Sequence, residues 1–311
     1  MDRASLKSVS VAMTTFNGGA FLKKQLDSIL KQTVQAFEII VCDDGSSDGT
    51  LQLLEEYTQL ANLKYFINQK NLGFVKNFEK AISLCSGEFI VLADQDDIWY
   101  PEKVEFLLES IGDNLLIHSD FDLINEEDEV VLKNFKGEIK THKKAEDFLF
   151  NNVVTGCTAM IHRDLLVLTL PFPVGISYHD WFLAIHAAYL GKITYTSKSL
   201  TGYRQHGNQD TGTGINNSSS IIRNCLFRIL GKEFNSITSS KSQLKNLKAT
   251  FNKFDFDVDF KKKHIKMIEI LEEYIKGFFH FSYGTYYLNR FSDPNRSKLM
   301  SLFYYLKFSI G

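Results

Sequence analysis

The chain has little of what marks export, membrane insertion or a disulfide scaffold. Residues 1–8 are short and polar and form no signal peptide. No apolar run approaches the length needed to cross a bilayer. Four cysteines (Cys42, Cys85, Cys157, Cys225) lie far apart, with neither zinc spacing nor disulfide density. That pattern predicts core filler in a reducing cytoplasm. Internal repeats are absent, and a net charge of −2 gives no reason to expect nucleic acid as a partner.

The near-neutral total hides an asymmetry. Residues 1–219 carry 19 Lys and Arg against 29 Asp and Glu, whereas residues 220–311 carry 16 against 8 and 18 of the 41 aromatic residues. The polar run Asn216 to Ser220 punctuates the chain. It predicts a body at 1–219, with halves at about 1–118 and 119–219, and a mainly helical extension at 220–311. In that extension Lys261 to Lys263, Lys266 and Lys276 mix with Phe278, Phe279, Phe281, Tyr286 and Tyr287. Such a surface suits an anionic membrane face or a cap packed on the body, and the two stay open.

Residues 9–118 alternate strand and helix signals. Strands are predicted at Val9 to Phe16, Phe37 to Cys42, Leu63 to Ile67 and Phe89 to Ala93. Helical stripes fall between them, at Leu22, Leu26, Ile29 and Leu30, at Leu53, Leu54, Tyr57 and Ala61, and at Phe74, Phe78, Ala81 and Ile82. Pro101 suits the first position of a further helix carrying Val104, Leu107, Leu108 and Ile111. Repeated βαβ units imply a parallel sheet. Beyond it the pattern predicts strands at Leu115 to Ile124, Thr155 to His162 and Ile193 to Thr196. It also predicts helices at 144–151 and at Trp181 to Leu190, and a glycine-rich loop from Gly202 to Gly214.

Three ligand-type segments end three of these strands: Thr14-Thr15-Phe16-Asn17, Asp43-Asp44-Gly45-Ser46 and Asp94-Gln95-Asp96-Asp97. Open parallel sheets hold ligands at the carboxyl ends of their strands. Crowded carboxylates repel one another unless a cation or a solvated turn relieves them. Taken alone, the second segment reads as a turn and helix cap. It also mimics a calcium loop through Asp44, Ser46, Asp48, Gly49 and Glu55, but a strand precedes it and no partner loop exists, which rejects calcium.

With these segments in view the chain resembles the inverting family 2 glycosyltransferases of the GT-A fold, over about residues 8–210. The resemblance rests on VSVAMTTFNG, VCDDGSSDGT, NLGFVKNFEKAI, ADQDDIW, TGCTAMIHR, YHDWFLAIHAAYLG and GYRQHGNQ. Within the family the chain looks most like bacterial rhamnosyltransferase-type enzymes of surface polysaccharide assembly. The fold so implied is α/β: a Rossmann-like, mostly parallel sheet flanked by helices, with a C-terminal helical extension.

The resemblance also implies roles for individual residues. Asp44 would accept the imide N–H of a uracil or thymine base, with Thr14 and Phe16 lining it. Asn71 and Asn77 would lie in the segment closing over the nucleotide, Asp94 at the ribose, and Asn17 and Gln95 among the residues binding the nucleotide-sugar. Asp96 and His206 would hold Mg²⁺ or Mn²⁺ on the diphosphate, with Asp97 able to assist through a water and Arg204 meeting the phosphates. Asp180 would be the catalytic base, in place of the plain helix cap that its local sequence suggests. His179, Trp181, Gly156 and Cys157 would border the acceptor, although Gly156 and Cys157 fit core packing equally.

The activity implied is inverting transfer from dTDP-rhamnose or a UDP-hexose to a saccharide or lipid-linked saccharide. Its expected setting is O-antigen or capsule assembly, in the cytoplasm or peripherally on the inner membrane face. A sugar-phosphate nucleotidyltransferase would want a basic, glycine-rich phosphate loop after strand one, and no basic residue follows Phe16 until Lys23. The other rival is a non-catalytic saccharide-binding protein on the same fold, which intact Asp44, Asp96 and Asp180 oppose.

Overall fold

The computed structural model describes residues 8–137, 148, 152–206, 244–250 and 256–275. The chain divides into two compact units, Met1–Phe234 and Asn235–Gly311.

In the first unit the apolar, β-branched runs form adjacent parallel strands. β1 (Val9–Thr15) pairs with β2 (Glu38–Asp43) and β4 (Phe89–Ala93), and β2 pairs with β3 (Leu63–Ile67). Every residue of β2 and β4 is buried, as a strand covered on both faces requires. Between them run α1 (Leu22–Leu30), α2 (Thr50–Thr58) and α3 (Phe74–Leu84). One core joins Val9, Val11 and Met13 of β1 to Leu22, Leu26 and Ile29 of α1 and Leu54 of α2.

The sheet then changes character. β8 (Ala159–His162) inserts antiparallel between β4 and β6 (Leu116–Ile124), and β9 (Ile193–Arg204) lies parallel to β6. A two-residue strand, β5 (Ile98–Trp99), pairs with the end of β9. The short β7 (Val130–Leu132) pairs with β6, completing the order β3-β2-β1-β4-β8-β6-β9-β5 with β7 off the path. Among the described residues the unit also holds α4 (Lys103–Ser110), α5 (Arg163–Thr169) and α6 (His179–Tyr189). The result is the α/β, mostly parallel sheet with flanking helices that the sequence implies.

Several local expectations are corrected. The helix after Pro101 begins at Lys103, because Pro101 sits in a turn closed by Lys103 N–H to Tyr100 O. The strand expected from Thr155 starts at Ala159, preceded by a 3₁₀ turn, Gly156–Thr158. β9 continues eight residues past Thr196. Its second half buries polar residues such as Thr201 and Arg204 through specific partners, so no apolar pattern announces it. Gly202, Tyr203 and Arg204 are therefore strand, not loop, and residues 207–214 lie outside the described residues. So does the expected helix at 144–151, apart from Phe148.

In the second unit, residues 244–250 and Val258–Ile275 are helical. The Phe256 and Phe260 rings pack 4.8 Å apart, and Lys248 pairs with Glu272 at 2.5 Å. Among the described residues no helix is long and apolar enough to cross a membrane. The expected membrane-facing Phe278, Phe279, Phe281, Tyr286 and Tyr287 lie outside them.

Candidate active site

Because β2, β1 and β4 are parallel neighbours, their carboxyl ends open on one edge, and short-range bonds tie the three loops together. Asp43 is consumed internally: it accepts from the Thr15 hydroxyl, from the Gly45 and Ser46 amides, and from the Ser46 hydroxyl. Asn17, held at φ 49°, donates its amide to Ser46 Oγ and accepts the Ser47 amide on its side chain. Gln95 embraces Phe16, accepting its N–H at 2.8 Å and donating to its carbonyl at 3.2 Å. Gly18 leaves room for this clasp, since a Cβ there would stand 2.2 Å from Gln95 Oε1. Asn17 and Gln95 thus brace the loops, while the Phe16 ring is exposed and Thr14 half-buried.

Asp44 faces the turn before α3. Its carboxylate accepts the Leu72 and Gly73 amides and the Asn68 side chain, all at 2.8 Å. Asn77 is buried behind it, accepting from Asn68 and donating to Cys42 O. It therefore fixes Asn68, and through it Asp44. Asn71 is exposed and accepts the Gly73 amide.

The acids after β4 form the electrostatic centre. Asp96 is buried, and its Oδ2 lies 2.8 Å from His206 Nε2. His206 and Arg204 both rest against the Phe21 ring, with the imidazole centroid at 4.9 Å and the guanidinium carbon at 4.7 Å. Asp97 is fully buried: one oxygen accepts the Arg204 amide, and Oδ2 has no hydrogen-bond partner of good geometry among the described residues. Ligand atoms of Asp94, Asp97 and Cys157 lie within 4.8 Å of one another.

Lost hydration and the neighbouring charges of Asp97, Asp96 and Asp180 hold the Asp94 carboxyl well above the ordinary carboxylate range. The charge of Asp180, from the second half of the unit, thus reaches an acid that follows β4. Burial pushes the Cys157 thiol up as well, which leaves it neutral.

Burial and the Asp96 charge push Asp97 up to about 7. An ordinary aspartate titrates near pH 4, so the fold holds a proton that the unfolded chain releases between those values. The cost of ionising Asp97 is therefore complete above pH 7 and gone below about pH 4. Asp97→Asn is expected to raise the melting temperature of the metal-free protein at pH 8 and to give no gain at pH 4. Thermal denaturation at both values checks this, and an equal gain at both would assign the effect to packing.

Arg204 is not where the resemblance puts it. Its guanidinium is fully buried and donates to the backbone carbonyls of Asp96, Asn125 and Glu126, with Asp128 2.6 Å away. The planar fork matches this arrangement of acceptors. Arg204 therefore shapes the Asp96 loop from behind instead of meeting a diphosphate.

Asp180 lies in the first turn of α6, but the helix cap is Tyr178, so Asp180 is not committed to capping. Its carboxylate accepts from the Asn152 side chain (3.1 Å), the Gly156 amide (3.0 Å) and the Trp181 amide (2.6 Å). His179 is buried and stacked on Phe78 at 4.2 Å, with no hydrogen-bond partner for either ring nitrogen among the described residues. Burial lowers its imidazole against the opposing pull of Asp180, which favours a neutral ring. The Trp181 indole is buried and donates to Phe148 O, and Cys157 is fully buried. All three are buried, and for Cys157 this fits the core-packing reading. Gly156 passes close to the His179 ring, 3.2 Å from where a Cβ would stand.

Two contributors carried no sequence signal. Asn152, which anchors Asp180, stands in an unpatterned stretch. Lys103 shares an apolar helix face with Val104 and Leu107, yet it is fully buried and donates to Cys157 O (2.6 Å) and Thr201 Oγ1 (3.0 Å). Its ammonium lies 3.9 Å over the Trp99 ring.

A parallel sheet with a braced loop cluster at one edge and buried acids facing a carboxylate on a following helix defines a GT-A-type transferase. Residues 10–167 match the pattern of "Glycosyl transferase family 2", and the chain belongs to that family. It is 29% identical over 237 residues to the dTDP-rhamnosyl transferase RfbG of Shigella flexneri, spanning 70% of this chain and 79% of that protein. It is 30% identical over 177 residues to the Escherichia coli UDP-Glc:alpha-D-GlcNAc-diphosphoundecaprenol beta-1,3-glucosyltransferase WfgD, spanning 56% of this chain and 68% of that one. The fold matches S. aureus TarS 1-349, solved with UDP-GlcNAc, at TM-score 0.56 and 19% identity over 86% of this chain and 81% of that one. The protein is a glycosyltransferase.

Proposed function

We propose that the protein transfers a sugar, with inversion, from a pyrimidine-diphospho donor to a saccharide acceptor during bacterial surface polysaccharide assembly. The donor is dTDP-rhamnose or a UDP-hexose, and the acceptor a saccharide or lipid-linked saccharide met at the inner face of the cell membrane. The observation that carries the reading is the Asp96–His206 pair, set among acids that also feel Asp180. Two relatives add support, one named for dTDP-rhamnose and one for UDP-glucose transfer to a diphosphoundecaprenol-linked sugar.

In this reading Asp44 takes the base N–H with the lone-pair capacity left beside its three donors, and the exposed Phe16 ring supplies a stacking face. The acceptor hydroxyl gives its proton to Asp180 as its oxygen forms the new bond to the anomeric carbon. The bond from that carbon to the diphosphate oxygen breaks on the opposite side, so the configuration inverts. A carboxylate and an imidazole whose ligand atoms already meet fit Mn²⁺ or Mg²⁺ completed by phosphate oxygens and water. When bound, such a cation neutralises charge on the departing diphosphate.

A thermal-shift screen of UDP, dTDP, GDP, UDP-glucose and dTDP-rhamnose, each with and without Mn²⁺, tests the donor class. A ligand that binds only the folded state raises the melting temperature. UDP or dTDP compounds are expected to shift it, more so with Mn²⁺. A shift with GDP alone would overturn the pyrimidine assignment.

A further inference from the structure

Among the described residues Lys103 is the one charged side chain besides Arg204 in the set of largest fully buried residues, and the reaction above leaves it without a task. Burying an ammonium is costly unless donors are satisfied and opposite charge is near. Here two donors go to Cys157 O and Thr201 Oγ1, and the Trp99 face covers the charge. The acidic partners are Asp97 and Asp94, whose pull on the ammonium opposes burial, the larger effect, which lowers it to about 8.

The identity of the first acceptor is the informative part. Cys157 O belongs to the 3₁₀ turn Gly156–Thr158, and the amide of the preceding residue, Gly156, donates to Asp180 Oδ2. The same turn is thus gripped from one side by a helix of the donor half and grips the proposed base on the other. Thr158 bonds back to Thr155 O through amide and hydroxyl, a tie that stays within the turn. The bonds to Lys103 and Asp180 tie its backbone to distant elements, beside the contact of the Cys157 thiol with Asp97.

We infer that Lys103 is a positioning residue for sugar transfer, its buried ammonium pinning the Gly156–Cys157 turn so that the Gly156 amide holds the Asp180 carboxylate toward the acceptor. This rests on the reading of Asp180 as the base. The arrangement links the two substrates' halves of the site: the Asp94–Asp97 acids that border the donor face the same ammonium that fixes the turn on the acceptor side. Thr201 Oγ1 fixes the ammonium laterally, and the 12-residue β9 continues from Thr201 to Arg204, behind the Asp96 loop.

The test uses the full chain with Lys103→Met, which keeps the stem and removes the donors, and Lys103→Gln, which keeps a donor. Hydrogen exchange is followed by NMR, and release of UDP or dTDP from UDP-glucose or dTDP-rhamnose reports turnover, with water standing for the acceptor hydroxyl. In Lys103→Met the Gly156 amide is expected to exchange faster while the Gly45, Ser46, Leu72 and Gly73 amides keep their protection. Turnover should fall about 100-fold, the scale of a misplaced catalytic group, with UDP·Mn²⁺ affinity unchanged. Lys103→Gln should recover part of both losses, and it carries the test if the Met variant does not fold.

Unchanged Gly156 exchange would overturn the inference, and so would protection or UDP·Mn²⁺ affinity lost in proportion to turnover. Asp180→Asn separates the two ideas. If that variant still turns over, the base reading falls; if it is inactive while Lys103→Met exchanges and turns over like wild type, only the positioning role falls.

Discussion

Asp180→Asn is expected to abolish transfer while leaving nucleotide binding intact. A positioned general base contributes about 10²- to 10⁴-fold, and an amide cannot take the acceptor proton. The substitution is close to isosteric, and its structural cost can be foreseen from the bonds around it. The new carbonyl oxygen can keep the Asn152 and Trp181 donors, both of which reach Oδ1 of the aspartate. The new NH₂ would then meet the Gly156 N–H, which at present bonds Oδ2. Turning Asn152 over does not relieve this, because its own oxygen already accepts the Val154 amide. One donor is left unpaired, a penalty of about 1–3 kcal/mol. A modest fall in melting temperature should thus accompany a large fall in turnover. Calorimetric titration with UDP and Mn²⁺ beside a turnover assay checks both halves. Turnover near the wild-type rate would remove Asp180 from the chemistry, and lost nucleotide binding would mean that the cleft had collapsed.

The parts of the site that were legible in the sequence share one physical property: their signal is local. β4 is found where the apolar run places it, because a strand buried on both faces must be continuously apolar. The acids after β2 and β4 are conspicuous because a carboxylate after such a run is expensive unless it has work to do. What stayed hidden is set by partners distant in sequence. Arg204 is fixed by carbonyls at 96, 125 and 126, and Lys103 by Cys157 and Thr201. Neither environment leaves a mark within a helical or strand period of the residue itself. The same reason explains the missed second half of β9: buried Thr201 and Arg204, each satisfied by distant partners, interrupt the apolar Leu200 and Tyr203, and periodicity of apolar residues cannot report them. Asn77 and Gln95 show the converse. The resemblance marked both as part of the site, but geometry makes them braces, Asn77 for Asn68 and Gln95 for the Phe16 backbone.

Asp96→Asn should change the protein in two opposite directions. Asp96 raises both Asp94 and Asp97 through its charge. Removing that charge relieves repulsion inside a buried cluster, so without metal the variant is expected to melt at or above the wild-type temperature. In the presence of UDP the Mn²⁺-dependent rise in melting temperature should vanish, because an amide is a poor ligand for a hard cation beside a phosphate. His206→Ala removes the other ligand atom of the 2.8 Å pair, and its effect on Mn²⁺ affinity should be at least about tenfold, the scale seen when groups around a metal are lost. It leaves the acids in place, so it should bring no gain in metal-free stability. The two variants therefore differ in the sign of the metal-free effect and agree in the loss of the Mn²⁺ response. Paired melts with and without UDP and Mn²⁺ read both quantities from one set of samples. If Asp96→Asn kept the full Mn²⁺-dependent shift, the cation would have to sit elsewhere among the acids, and the pairing of Asp96 with His206 would be a hydrogen bond and nothing more.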